Sequence, residues 1–334
     1  MYIMSNMYEL ITDRSLERFT LKPIDTRFTK LFDLYKKQIE CFWKVEEVDM
    51  SGDCDDFEKL NENEQKFIKM ILAFFVCSDS IVNVNIKTRF REEITVFEAH
   101  LFYDFQIAME NIHSEVYSNL ILNIVKDEEE KKLLFHAMHE INSIKLISQW
   151  AFKWIDSNSH ISYRIVAFAI FEGVIFSGAF AAIFWLKFNK FPNRKAMNGL
   201  ILSNQFISRD ENMHCTFACE LYKLIIHKID KEDIYIMFNE IIDITKIFII
   251  ESLQIELIGI NSDSMCEYIQ YVADILLMML GYDPLYNTKN PFMFMESISL
   301  LGRVNFFESH STSYRAFHNE QNINTTNYSL VEDF

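Results

Sequence analysis

Glu-x-x-His occurs twice in the chain, as Glu110-Asn111-Ile112-His113 and as Glu211-Asn212-Met213-His214. On a helix this spacing puts a carboxylate and an imidazole on one face, so one helix can offer two ligands to a metal ion. Either copy alone reads equally well as a solvated glutamate beside a hydrogen-bonded histidine. Two further carboxylates shift the balance. Asp79 lies in AFFVCSDSIV and Glu172 in IVAFAIFEGVIFSGAFAAIFWL, apolar runs in which a lone carboxylate is expensive to bury. Such a group neutralises or finds a cation, yet no Lys or Arg lies within a helical turn of Glu172. One carboxylate from each of two helices and Glu-x-x-His from each of two others form the di-iron or di-manganese site of a four-helix bundle. Four carboxylates and two imidazoles suit such ions without any thiolate.

Tyr117 follows His113 by four residues and shares its face. Phe176 and Phe180, at i+4 and i+8 from Glu172, and Ile207, at i−4 from Glu211, can wall that side with apolar groups. A phenol in a dry pocket beside an oxygen-activating metal pair suggests a protected radical.

Positioning six ligands from four helices requires long, uninterrupted helices, and the composition supplies them. The 334 residues include only 7 Gly and 4 Pro, with no proline between Pro23 and Pro192. Average usage is roughly 7% Gly and 5% Pro, so a sandwich, barrel or propeller, with its frequent turns, is close to excluded. No GxGxxG or GxxxxGK[ST] phosphate loop is present. Helices are expected at about 29–43, 62–90, 92–124, 127–138, 140–156, 161–189, 199–228, 231–259 and 262–280, the last stopped by Gly281 and Pro284. The fold class expected is an all-α, ferritin-like bundle of long helices.

Half of the residues are hydrophobic and 31 are Phe, enough for one large core. No linker marks a second domain. The expected division is a flexible segment 1–25, a helical-bundle domain 26–308 and a flexible tail 309–334 rich in Asn, Ser and Thr. The run 165–186 is long enough to span a bilayer, but it carries Glu172 and has no counterpart, so it reads as a central helix buried all round. A net charge of −16 argues against a nucleic-acid partner. The six cysteines form no CxxC pair and the N-terminus lacks a secretory pattern, which points to a reducing, cytoplasmic setting.

These residues resemble the small subunit of class I ribonucleotide reductase of the eukaryotic or viral type. The resemblance spans about residues 22–334. It rests on FWKVEEVDM (42–50), LAFFVCSDSIVNVN (72–85), FQIAMENIHSEVYS (105–118), VAFAIFEGVIFSGAFAAIFWLK (166–187), ISRDENMHCTFAC (207–219) and NPFMFMESISLLGRVNFFE (290–308). It implies two iron ions, oxo-bridged, with O2 as the activating oxidant. Asp79, Glu110 and His113 would hold one iron and Glu172, Glu211 and His214 the other, with Glu110 and a Glu of the second set bridging. Tyr117 matches the tyrosine oxidised to a stable radical. Trp43 and Asp210 match a tryptophan and aspartate hydrogen-bonded in series to an iron-bound histidine, here His113. Tyr314 matches a tyrosine that relays the radical to the large subunit, and Tyr328–Phe334 the peptide that docks there.

The activity implied is that of the radical-generating subunit of ribonucleoside-diphosphate reductase, a homodimer that enables its large subunit to make deoxyribonucleotides. A stand-alone di-iron oxidase or ferroxidase would have no use for Tyr314 and the terminal peptide. A catalytically silent paralogue would not need all six ligands and Tyr117, and a Mn/Fe centre of the radical-free type resembles this pattern with Phe at that position. The chain departs from the resemblance in a lengthened connection at 188–199, in Val84 and Met293 where acidic residues are common, and in Tyr328 where Phe is common.

Overall fold

In a computed structural model of the chain, residues 8–191, 196–253 and 260–295 are described. Ten helices of eight or more residues dominate them: α1 (Thr29–Glu40), α2 (Glu62–Asn85), α3 (Phe97–Ile124), α4 (Glu128–Phe135), α5 (Asn142–Ile155), α6 (Ile161–Ile170), α7 (Phe176–Trp185), α8 (Asn198–Leu224), α9 (Lys231–Ser252) and α10 (Ser262–Leu280). No β-strand occurs among the described residues.

Local sequence explains most of the boundaries. Asn61 and Glu64 close a reciprocal cap on α2, each side chain accepting the other's backbone N–H at 3.0 Å. Asp127 caps α4 by accepting from Glu130 N at 2.8 Å. Gly281, with φ at 93°, ends α10 in the left-handed conformation that favours glycine. The start of α8 is different, because its cap comes from a short helical turn distant in sequence, Asp53–Phe57. Asp53 accepts from Gly199 N at 3.0 Å and from Leu200 N at 2.7 Å. A Cβ at Gly199 would lie 2.8 Å from Met50 Cα, so only glycine admits this approach. The helix expected at 127–138 breaks at His136, and α9 ends at Ser252 rather than near 259.

The bundle places α2 along α3 and α8 along α6 and α7, with α1 across α3 and α8. The apolar segment Ile161–Lys190 is continuous, passing through two wider π turns at Phe171–Ile175 and Leu186–Lys190. Its most apolar window is wholly buried, so this is the central core helix. Glu62–Glu93 is also long and apolar enough to cross a membrane, and it too is mostly buried.

The segment 1–25, expected to be flexible, is docked at Glu9 and Ile11, while Phe19 stands exposed. Ile11 is fully buried, and its carbonyl accepts from Thr95 N at 2.8 Å. Glu9 is buried and accepts from Ile226 N at 2.6 Å and His227 N at 2.8 Å. Backbone and carboxylate bonds rather than an apolar stripe anchor this segment, so hydrophobic periodicity carries no trace of it. Tyr314, the tail 309–334 with Tyr328–Phe334, and part of the lengthened connection around Pro192 lie outside the described residues.

Candidate metal centre

Four helical segments bring the six candidate ligands together. Helix α2 supplies Asp79. On α3, Gln106, Glu110, His113 and Tyr117 follow the i, i+4, i+7, i+11 spacing of one face. Helix α8 supplies Asp210, Glu211 and His214. Glu172 sits in the π turn between α6 and α7, where an extra residue in the turn resets the faces on either side. Gly173 in the same turn lets α8 approach, since a Cβ there would lie 2.6 Å from Cys215 Sγ.

Ligand atoms of Asp79, Glu110 and His113 lie within 4.8 Å of one another, and so do those of Glu110, Glu172, Glu211 and His214. Glu110 belongs to both groups. His113 Nδ1 lies 3.2 Å from Glu110 Oε2 and 2.9 Å from Glu211 Oε1. His214 Nδ1 lies 3.0 Å from Glu110 Oε1 and 3.0 Å from Glu211 Oε2. Glu110 and Glu211 therefore each turn one oxygen to either imidazole. Gln106 Nε2 donates to Glu110 Oε1 at 3.3 Å and to Glu172 Oε1 at 3.1 Å.

All six side chains are buried, and the electrostatics record the strain. Burial, then the charge of Glu110, pushes Asp79 well above the usual carboxylate range. Burial, then the charge of Glu211, does the same to Glu172. Burial opposes charge on both histidines, but the surrounding carboxylates outweigh it and raise both. Burial also opposes ionisation of Glu211, yet His214 and hydrogen bonds from its neighbours hold its carboxyl below the usual range. Both oxygens of Asp79 and Nε2 of His214 have no hydrogen-bond partner among the described residues. Four buried carboxylates facing two imidazoles, with orphaned oxygens among them, are a donor set that two divalent cations would satisfy.

The cluster has two unlike flanks. On one, the Tyr117 ring stacks on Phe75 at 4.4 Å and 3°. Phe75 in turn packs on Phe180 at 5.1 Å and on Phe176 at 5.8 Å. Ile207 is buried on α8, one turn before Glu211. Tyr117 Oη is buried with no hydrogen-bond partner among the described residues. Burial, then the charge of Asp79, keeps its phenol protonated well beyond the ordinary range.

On the other flank, Trp43 Nε1 donates to Asp210 Oδ2 at 2.7 Å, and that oxygen lies 3.2 Å from His113 Nε2. Arg209 grips the second oxygen of Asp210 through Nε at 3.1 Å and Nη2 at 3.0 Å. Nη2 also donates to Cys41 O at 2.6 Å, fixing the segment that carries Trp43. Burial opposes the charge on Asp210, but Arg209 and its hydrogen-bond partners hold the carboxyl below the usual range.

Phe75, Gln106 and Arg209 were not singled out by sequence reasoning. A signal existed for two of them. Phe75 lies four residues before Asp79, and Gln106 four before Glu110, the spacing already used for Tyr117. Arg209 contacts Asp210 from the adjacent position, which helical periodicity does not reveal.

Comparison with known proteins places this geometry. A family model described as "Ribonucleotide reductase, small chain" matches residues 18–291. The chain is 48% identical over 308 residues to the ribonucleoside-diphosphate reductase small chain of Encephalitozoon cuniculi, covering 92% of each. It is 46% identical over 332 residues to the corresponding chain of Yaba-like disease virus, covering 99% of this chain and all of that one. Among solved structures it is similar to the ribonucleotide reductase Rnr4 homodimer from Saccharomyces cerevisiae. The TM-score there is 0.78 at 32% identity, over 92% of this chain and 93% of the other.

Proposed function

The chain belongs to the ribonucleotide reductase small-chain family, and on that premise we propose that its six buried ligands hold two iron ions and that Tyr117 carries a stored radical. The chain is the small subunit of a ribonucleoside-diphosphate reductase, an oxidoreductase that acts with a separate large subunit. Asp79, Glu110 and His113 would hold one ion and Glu172, Glu211 and His214 the other; Glu110 and Glu211 each turn an oxygen to both imidazoles. Iron bound there supplies O2 activation and the one-electron oxidation of a neighbouring phenol.

The rest is the work of the chain's own side chains. Burial keeps the proton on Tyr117 Oη, so loss of an electron from the ring would release that proton to the carboxylate cluster, where Asp79 has unpaired oxygens to accept it, and leave a neutral phenoxyl radical. The Phe75, Phe176 and Phe180 wall offers this radical no hydrogen atom readily given up and excludes water. Gln106 holds Glu110 and Glu172 in place. Trp43, Asp210 and His113 form a continuous hydrogen-bonded line from the cluster toward α1, through which an electron and a proton can move together. Tyr314 extends that route in the tail, and Tyr328–Phe334 docks on the large subunit. The small subunit works as a homodimer in the cytoplasm.

The observation that carries this reading is Tyr117, fully buried and stacked on Phe75 next to the unsatisfied carboxylates of the cluster. Anaerobic loading with Fe(II) followed by O2 should give two irons per chain and a tyrosyl signal in electron paramagnetic resonance. Tyr117→Phe should abolish the signal and retain the iron. An unchanged signal in that variant, or failure of the wild type to take up iron, overturns the reading.

A further inference from the structure

A second group of ligand-type side chains lies away from the buried cluster. Glu9 of the N-terminal segment, His160 immediately before α6 and His227 just after α8 converge, with one ligand atom from each within 4.8 Å of the others. Glu9 Oε1 is 3.0 Å from His227 Nδ1 and 3.5 Å from His160 Nε2. Zn–N and Zn–O bonds of about 2.0–2.2 Å at tetrahedral angles set ligand atoms about 3.3–3.5 Å apart, so the two sides that meet at Glu9 Oε1 already have nearly the right length.

The polar accounting points the same way. His160 is over nine-tenths buried and its Nε2 has no hydrogen-bond partner among the described residues. At its other edge, Nδ1 lies 2.8 Å from Ser162 Oγ and accepts from Ser162 N at 3.4 Å. With a metal on Nε2 the ring proton would sit on Nδ1, where Ser162 Oγ can accept it, the arrangement a metal-bound imidazole adopts. Glu9 is itself oriented by the backbone N–H groups of Ile226 and His227. Glu9 and His160 also line a cleft open to solvent, which provides an entry path and room for a fourth ligand.

We propose that Glu9, His160 and His227 form a zinc-class divalent metal site, with water in the fourth position, that ties the N-terminal segment to the ends of α6 and α8. Two imidazoles and one carboxylate with one open position are a ligand set zinc accepts. The site is independent of the buried iron centre: it shares no residue with it.

The test uses the full-length, iron-loaded protein dialysed against excess Zn2+, with metals counted by mass spectrometry and Co2+ substituted to report tetrahedral coordination by its visible absorption. The wild type should bind one zinc per chain beyond its iron. Zinc should also raise the melting temperature and slow tryptic cleavage after Arg14 and Arg18. His227→Gln, at a half-exposed position, should weaken zinc binding at least about tenfold, the lower bound set by loss of even an outer partner, with iron content and radical unchanged. His160→Gln should do the same. If His160→Gln fails to fold, as lost iron would show, the His227→Gln result decides. No extra zinc in the wild type, or equal zinc in wild type and His227→Gln, overturns the proposal.

Discussion

On the α2 side of the metal cluster the Tyr117 ring stacks on Phe75, which packs on Phe180, and its hydroxyl has no hydrogen-bond partner among the described residues. On the α1 side, Trp43, Asp210 and His113 are joined by hydrogen bonds, with Arg209 holding the remaining oxygen of Asp210. Both flanks are buried, so exclusion of water does not distinguish them. What differs is whether a hydrogen-bonded line leads away from the cluster. A radical persists where no such line brings the electron and proton that would reduce it, and charge moves where proton and electron have linked carriers. The same cluster therefore faces a storage site on one side and a conduit on the other.

The sharpest way to separate these roles is to disable export alone. Removing 328–334 should abolish turnover with the large subunit while the Tyr117 radical signal remains; full turnover after truncation would sink the docking role. Trp43→Phe keeps a ring of similar shape but lacks Nε1–H. Turnover should fall about 100-fold, equivalent to ~2.7 kcal/mol of barrier, with the radical still detectable on Tyr117. Wild-type turnover in this variant would remove Trp43 from the conduit. Phe75→Ala acts on storage instead. It should lower stability by ~3–5 kcal/mol, as large-to-small core changes do, and shorten the radical's lifetime at least about tenfold, a change of ~1.4 kcal/mol in barrier. An unaltered decay rate would show that the aromatic wall is packing and nothing more.

How much of this could be read in advance follows from the physics of each flank. The storage flank is built from positions related by helical periodicity. The two Glu-x-x-His pairs, Tyr117, Phe176 and Phe180 therefore announce themselves by spacing, and Asp79 by the apolar run around it; Phe75 and Gln106 were within reach of the spacing rule. The conduit joins Trp43 to Asp210 across 167 positions of sequence. No spacing encodes that contact, and only the resemblance suggested it. The π turn around Glu172 was equally hidden, because Gly173 in an apolar helix does not say that Cys215 will press against it. The docking of Glu9 and Ile11 shows the limit most plainly. The segment lacks an amphipathic pattern, and its partners, Thr95, Ile226 and His227, are known only once the helices are packed.

Gln106 is the one uncharged donor to the cluster identified above, and it tests whether the carboxylates are held by protein or by metal. Its Nε2 reaches Glu110 and Glu172 together. Gln106→Leu preserves bulk and withdraws both bonds. Without metal, the two carboxylates lose a donor in a site where replacement by water is restricted, and a hydrogen bond to a charged group contributes about 1.5–3 kcal/mol. With metal bound, the ions satisfy the same oxygens and the loss should shrink to under about 1 kcal/mol, the level of an ordinary bond. Thermal unfolding of wild type and variant, each with and without iron, gives the comparison. The variant should be the more destabilised partner in the metal-free pair. An equal penalty in both states would mean that Gln106 positions the helices rather than the ligands.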